Sequence, residues 1–97
     1  MTTTAEVELV GILRELAGKR SVSLRFDRLA TVGDVIMELA NRFQPKFKQA
    51  MIDPELNDPR PNVLILLNKT EISALNGLDT KIRDGDKLVL IPVSHGG

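Results

Sequence analysis

Apolar and polar residues alternate over positions 5–13, AEVELVGIL: Val7, Leu9, Gly11 and Leu13 share one parity, Glu6 and Glu8 the other. This is the pattern of a strand with one buried face. Val10 and Ile12 interrupt the polar face, so its second half is either covered or presented to a partner. After a short polar stretch, RELAGKR at 14–20, the run SVSLRF at 21–26 alternates again, with Val22, Leu24 and Phe26 inward. Two alternating runs joined by a short Gly-containing segment predict a hairpin. The period then changes. Val32, Val35, Ile36, Leu39, Ala40 and Phe43 lie on one helical stripe. Thr31 precedes them as N-cap, with Asp34 three residues later as a short-armed capping-box partner. Pro45 stops this helix near Phe43 or Gln44.

The stretch 44–61 is irregular and carries Pro45, Pro54, Pro59 and Pro61. An unstructured loop that long is uncommon in a compact domain. A short helical turn over 46–51 is therefore expected, anchored by Phe47 and Met51, with 53–61 the most mobile internal segment. NVLILL at 62–67 is apolar throughout, so both its faces are expected to be at least partly covered. Asn68-Lys69-Thr70 turns the chain, and 71–73 returns as a short edge strand. Leu75, Leu78 and Ile82 follow as a helical turn plus loop, and Asp84-Gly85-Asp86 is a turn. KLVLIPV at 87–93 is the last strand. Being apolar on both parities, it belongs at the centre of the sheet, parallel to the first strand. This order is not a regular βαβ array. It predicts an α+β domain over 1–93, a mixed sheet of four or five strands with one main helix packed across it, followed by a tail at 94–97.

Composition narrows the chemistry. The 97 residues suit one domain. Formal net charge is zero and no stripe of Lys and Arg is present, which argues against nucleic-acid binding through phosphates. The absence of cysteine removes disulfides, thiolate metal sites and a catalytic thiol together. His95 is the single histidine and makes no metal site alone. Asp79, Asp84 and Asp86 read as turn residues rather than a calcium loop. No nucleophile triad and no glycine-rich phosphate loop occurs. The first residues lack a basic region followed by an apolar core, and no apolar run approaches the ~20 residues that span a bilayer. The expectation is a cytoplasmic protein, monomeric when free, with no metal, cofactor, membrane or direct nucleic-acid partner.

What remains is Gly96-Gly97 at the close of the sequence. Two glycines in succession thread a narrow channel and adopt backbone angles closed to other residues. With LRELAGKR (13–20), TVGDV (31–35) and LNGLDTKIRDGDKLVLIPV (75–93), this ending resembles the β-grasp sulfur carriers and modifiers related to ubiquitin. The small subunit of molybdopterin synthase, the ubiquitin-related modifiers of tRNA thiolation and the small archaeal modifier proteins belong to that superfamily. The resemblance implies a carrier or modifier rather than an enzyme. A ubiquitin-activating-type enzyme with ATP would adenylate Gly97. The activated end would then pass to a sulfur donor, giving a thiocarboxylate, or to a lysine of a target protein. Gly96 and Gly97 would carry this chemistry.

Counting back from the tail as in such relatives puts Leu88 and Leu90 in the core. Val89 and Ile91 then face outward beside Val10 and Ile12, unless loop 44–61 folds over them. Val89, Ile91, Val10, Ile12, Pro92 and His95 are the expected partner-binding residues. Pro92, lacking an N–H, is expected to end sheet pairing and free an arm of 93–97 spanning at most about 17 Å. Two other roles fit the resemblance: a dedicated small subunit pairing with the large subunit of molybdopterin synthase, and a β-grasp interaction domain whose tail does no chemistry.

Overall fold

A computed structural model describes residues 2–93. Strand β1 (Thr3–Leu9) buries Thr3, Ala5, Val7 and Leu9, and β2 (Ser21–Phe26) buries Val22, Leu24 and Phe26. They pair antiparallel, with Ala5 opposite Leu24 and Val7 opposite Val22, so both alternating patterns turn the same way.

The connection between them differs from the expectation. The strand does not run to Leu13. It ends at Leu9, and a short helix α1 (Ile12–Ala17) follows. Gly11 makes the break, at φ 60 and ψ −131, a region essentially restricted to glycine. Gly18 closes the helix in the left-handed conformation, its N–H donating to the Arg14 carbonyl. The Arg14 side chain donates to the free carbonyl of Leu9 at 3.0 Å. Leu13 is fully buried, as its parity suggested, but from a helix.

Strand β3 (Ala30–Thr31) leads into helix α2 (Val32–Arg42), whose capping box is complete. Thr31 Oγ1 accepts from the Asp34 N–H at 3.2 Å, and Asp34 Oδ2 accepts from the Thr31 N–H at 2.9 Å. Val32, Val35, Ile36, Leu39 and Ala40 are buried. The expected helical turn is α3 (Pro45–Met51), with Phe47 and Met51 fully buried and the Phe43 ring tilted against Phe47, centroids 4.8 Å apart. It packs against α1 and α2, on the helical side of the sheet. The segment after it is organised locally: the Asp53 N–H donates to the Asp58 carbonyl at 2.9 Å, and Asp53 Oδ1 accepts from the Glu55 and Leu56 N–H groups.

Strands β4 (Val63–Leu67) and β5 (Thr70–Glu71) form a hairpin closed by Asn68 and Lys69, both at positive φ (48 and 75), the backbone of a type I′ turn. Beyond β5 the chain enters 3-10 turns at Ile72–Ala74 and Gly77–Asp79, so the edge strand expected at 71–73 is shorter and begins earlier. Strand β6 (Lys81–Ile82) pairs with β3, Ile82 opposite Ala30, a two-stranded element absent from the sequence reading. Asp84 and Asp86 are turn residues: Asp84 Oδ1 accepts from the Thr4 N–H and Asp86 Oδ2 from the Arg83 N–H.

Strand β7 (Lys87–Pro92) lies in the middle of the five-stranded order β2-β1-β7-β4-β5, parallel to β1 and antiparallel to β4. Leu88 and Leu90 are fully buried. With the helices across one face of this mixed sheet, the architecture is the α+β β-grasp arrangement.

Candidate docking face and C-terminal exit

The ladder between β4 and β7 fixes which side chains share the face away from the helices. Leu64 stands opposite Ile91 and Leu66 opposite Val89, while Val63, Ile65 and Leu67 point with Leu88 and Leu90 into the core. Val89, Ile91 and Leu66 are half-buried, and Leu64 is 37% exposed. Loop 44–61 lies on the other side: α3 packs against α1 and α2, and Ile52, Asn57 and Pro59 line a cleft with Ile36 and Met37 of α2. The Val10 N–H donates to the Leu90 carbonyl at 3.2 Å, one residue beyond the Leu9–Leu90 pair. This puts Val10 next to Ile91, as parity indicated.

Ile12 is not part of this row. It sits on α1, 46% exposed, because Gly11 has already turned the chain out of β1. Leu64 and Leu66 join the row unanticipated. A continuous apolar run has no parity of its own, but pairing the run antiparallel with KLVLIPV would have assigned them to the face of Val89 and Ile91. The rim is polar: Lys87 pairs with Glu8 at 3.5 Å and the Ser23 hydroxyl donates to Glu6 at 2.6 Å. An apolar centre with a polar rim on so small a protein is the anatomy of a docking surface.

The end of β7 also departs from expectation. Pro92 does not terminate pairing, since the Val93 N–H donates to the Asn62 carbonyl at 2.9 Å. The reason is directional. Backbone groups of successive strand residues point to opposite sides. The Leu90 carbonyl serves β1, so the Pro92 nitrogen also faces that side, where β1 has already ended. The missing N–H costs the β4 ladder nothing. Pro92 itself lies opposite Val63, and a Cβ placed on Gly11 would sit 3.7 Å from its ring. His95, Gly96 and Gly97 lie outside the described residues.

The turn that leads to Asn62 is held by Asp58. Asp58 Oδ1 accepts from the Arg60 backbone N–H at 2.8 Å, and both carboxylate oxygens accept from the Arg60 guanidinium. The guanidinium hydrogen bond holds the Asp58 carboxyl below its ordinary value against the opposing effect of partial burial. Val93, Leu64, Arg60 and Gly77 line one shallow cleft beside this turn. Among the described residues no group of His, Cys, Asp and Glu is placed to hold a metal ion, and no helix is long and apolar enough to cross a membrane.

The family model for the ThiS family matches residues 7–97. Small archaeal modifier protein 3 of Haloferax volcanii is 33% identical over 92 residues, covering 95% of this chain and 97% of that protein. The crystal structure of SAMP1 from Haloferax volcanii superposes with a TM-score of 0.81 at 28% identity, over 97% of this chain and 99% of that one. CysO in the Amycolatopsis orientalis BexX/CysO complex aligns with a TM-score of 0.72 at 26% identity, over 96% of this chain and 99% of the other.

Proposed function

This chain belongs to the ThiS family of ubiquitin-like modifiers and sulfur carriers, and we propose that its working group is the Gly97 carboxylate, activated by adenylation. Its relatives are modifiers and carriers rather than catalysts, and so is this protein. The observation that carries the proposal is positional. The central strand β7 delivers Val93 to the end of the sheet, and the sequence closes four residues later on Gly96-Gly97. Those four residues span at most about 14 Å.

The chemistry proceeds in two steps. A carboxylate oxygen of Gly97 attacks the α-phosphorus of ATP held by an activating enzyme. The bond from that phosphorus to the bridging oxygen breaks, and pyrophosphate leaves. In the resulting acyl-adenylate the carbonyl carbon accepts a nucleophile and AMP leaves. Hydrosulfide-level sulfur gives a thiocarboxylate after loss of a proton. A lysine amine gives an isopeptide bond, again with loss of a proton. The protein contributes placement: a rigid sheet docks by Val10, Leu64, Leu66, Val89 and Ile91, and a short arm enters the site. Gly96 and Gly97 let the backbone pass without side-chain clash.

The test is ATP–pyrophosphate exchange with an activating enzyme of the ubiquitin-activating class, followed by mass spectrometry of the C-terminal peptide. Exchange that vanishes on deletion of Gly97, with oxygen replaced by sulfur at the terminus or adducts on lysines resistant to reductant, supports the reading. Full adenylation of the deletion variant refutes it. Stable pairing with a molybdopterin synthase large subunit assigns the sulfur to molybdopterin. An unmodified terminus in cells that hold the activating enzyme leaves an interaction domain.

A further inference from the structure

We infer that a second copy of this chain pairs with it along strand β2, antiparallel and centred on Ser23, to give one continuous sheet through both molecules. The two edges of the sheet are unlike. The β5 edge is two residues long, and the chain leaves it at once for a 3-10 turn. The β2 edge runs unbroken over Ser21–Phe26, with no proline, glycine or bulge to blunt it. The ladder decides which backbone groups this edge leaves free. The Arg20 carbonyl accepts from the Leu9 N–H at 2.9 Å, so Arg20, Val22, Leu24 and Phe26 turn their backbone groups toward β1. Those of Ser21, Ser23 and Arg25 point away from it, where no strand lies among the described residues. All three residues are exposed. Such an edge is a template for another strand.

The charges select a second copy as that strand and fix its register. Centred on Ser23, Ser21 meets Arg25 of the other copy, Ser23 meets Ser23, and Arg25 meets Ser21, each pair exchanging both N–H···O bonds. Every free group of the edge is then used. A slip one way opposes Arg25 to Lys19. A slip the other way leaves Ser21 without a strand partner and, taken further, sets Arg25 against itself. In the centred register Lys19 meets Asp27, just beyond either end of the strand. Lys19 has no ion pair among the described residues, and the Arg25–Asp27 contact, at 3.8 Å, is exposed. Arg25 of one copy also looks past the small Ser21 of the other to Glu8, the β1 neighbour of that serine. The two strand spacings between them come to about 10 Å, which these long side chains bridge. No cation directly opposes a cation, and no carboxylate a carboxylate. One strand edge covers less than the ~1,000 Å² of a stable interface, so the pair is weak and dissociates on dilution. The apolar docking row lies chiefly on β4 and β7, away from β2, so both copies keep it open and the inference stands apart from the adenylation reading.

The experiment is sedimentation equilibrium of the full chain from about 10 μM to about 1 mM at low ionic strength, with amide hydrogen exchange at Ser21, Ser23 and Arg25. The mass is expected to rise from one chain toward two across that range, and these three amides to exchange more slowly as it does. Ser23→Pro removes the central outward N–H without touching the β1 ladder, and is expected to abolish the dimer. Lys19→Asp and Asp27→Lys are each expected to weaken it about three- to tenfold, and the double variant to restore it. If Ser23→Pro does not fold, the charge exchange decides the matter alone. A single-chain mass at every concentration with unprotected amides overturns the inference. A dimer indifferent to all these variants also overturns it, because the contact then lies elsewhere. So does slowing of the three amides only when an unrelated strand-forming peptide is added, which would make the edge a peptide site.

Discussion

Leu64 and Ile91 face each other across the β4–β7 ladder on the side of the sheet that no helix covers. Their neighbours on the same face are Leu66, Val89 and Val10, which makes a contiguous apolar row from β4, β7 and the residue that follows β1. A charge placed in this row meets a partner only when one docks, so docking and folding are separable by mutation.

Ile91→Asp is expected to weaken binding of the activating enzyme at least tenfold while lowering stability by about 1 kcal/mol, since Ile91 is only half-buried. Leu64→Asp is expected to behave alike. Calorimetric titration against the enzyme, with a urea melt of each variant, checks both. A collapse of the fold in either case would show these side chains to be core.

Leu90→Ala provides the contrast. Leu90 is fully buried at the centre of the sheet, and its truncation is expected to cost about 2–5 kcal/mol. The measurement is the urea midpoint at constant slope; a cost under 1 kcal/mol would contradict the inward assignment.

Gly11→Ala tests the break between β1 and α1. The added Cβ meets Pro92 at an ordinary contact distance, so space is not the obstacle. The conformation at φ 60 and ψ −131 is, and the expected loss is about 1–3 kcal/mol. Equal stability of the variant would mean that the chain can turn elsewhere.

Acid should loosen the α2 N-terminus and the turn at Asp58. At Asp34, partial burial raises the carboxyl, but the hydrogen bond from the Thr31 N–H and the neighbouring Arg28 outweigh it, and the net direction is downward. At Asp58 the Arg60 guanidinium hydrogen bond is the leading cause of the lowered value. A carboxyl depressed on folding stabilises the protein above its unfolded value near 3.9 and loses that contribution as pH falls through its folded value. Stability is therefore expected to be level at neutral pH and to decline below about pH 4. Asp34→Asn and Asp58→Asn should each flatten the decline in urea melts across pH 2–6; an unchanged slope in both would contradict the assignment.

Periodicity served well where one face was buried and the element was long. Val22, Leu24 and Phe26 alternate cleanly, and α2 carries its cap and stripe in full. It failed where an element was short or lacked contrast. The helix α1 has six residues, too few to show a period, and Leu13 kept the parity of Leu9 although Gly11 had broken the strand between them. Residues 63–67 offered no polar face, so Leu64 and Leu66 became visible only through their β7 partners. The two-residue pair of β3 and β6 depends on contacts between distant segments that no local pattern records. Pro92 misled for a geometric reason, because which side its nitrogen faces is set by the ladder and not by residue type.

The central place of β7 has a consequence for biosynthesis. Until residues 87–92 have left the ribosome, β1 and β4 have no common neighbour and the Val7, Leu9 and Ile65 side chains lack Leu88 and Leu90 beside them in the core. The sheet is completed by the last strand to be made. A chain terminated before residue 87 therefore lacks a finished sheet, and under the proposed adenylation it would offer an activating enzyme neither a complete body nor the Gly97 carboxylate.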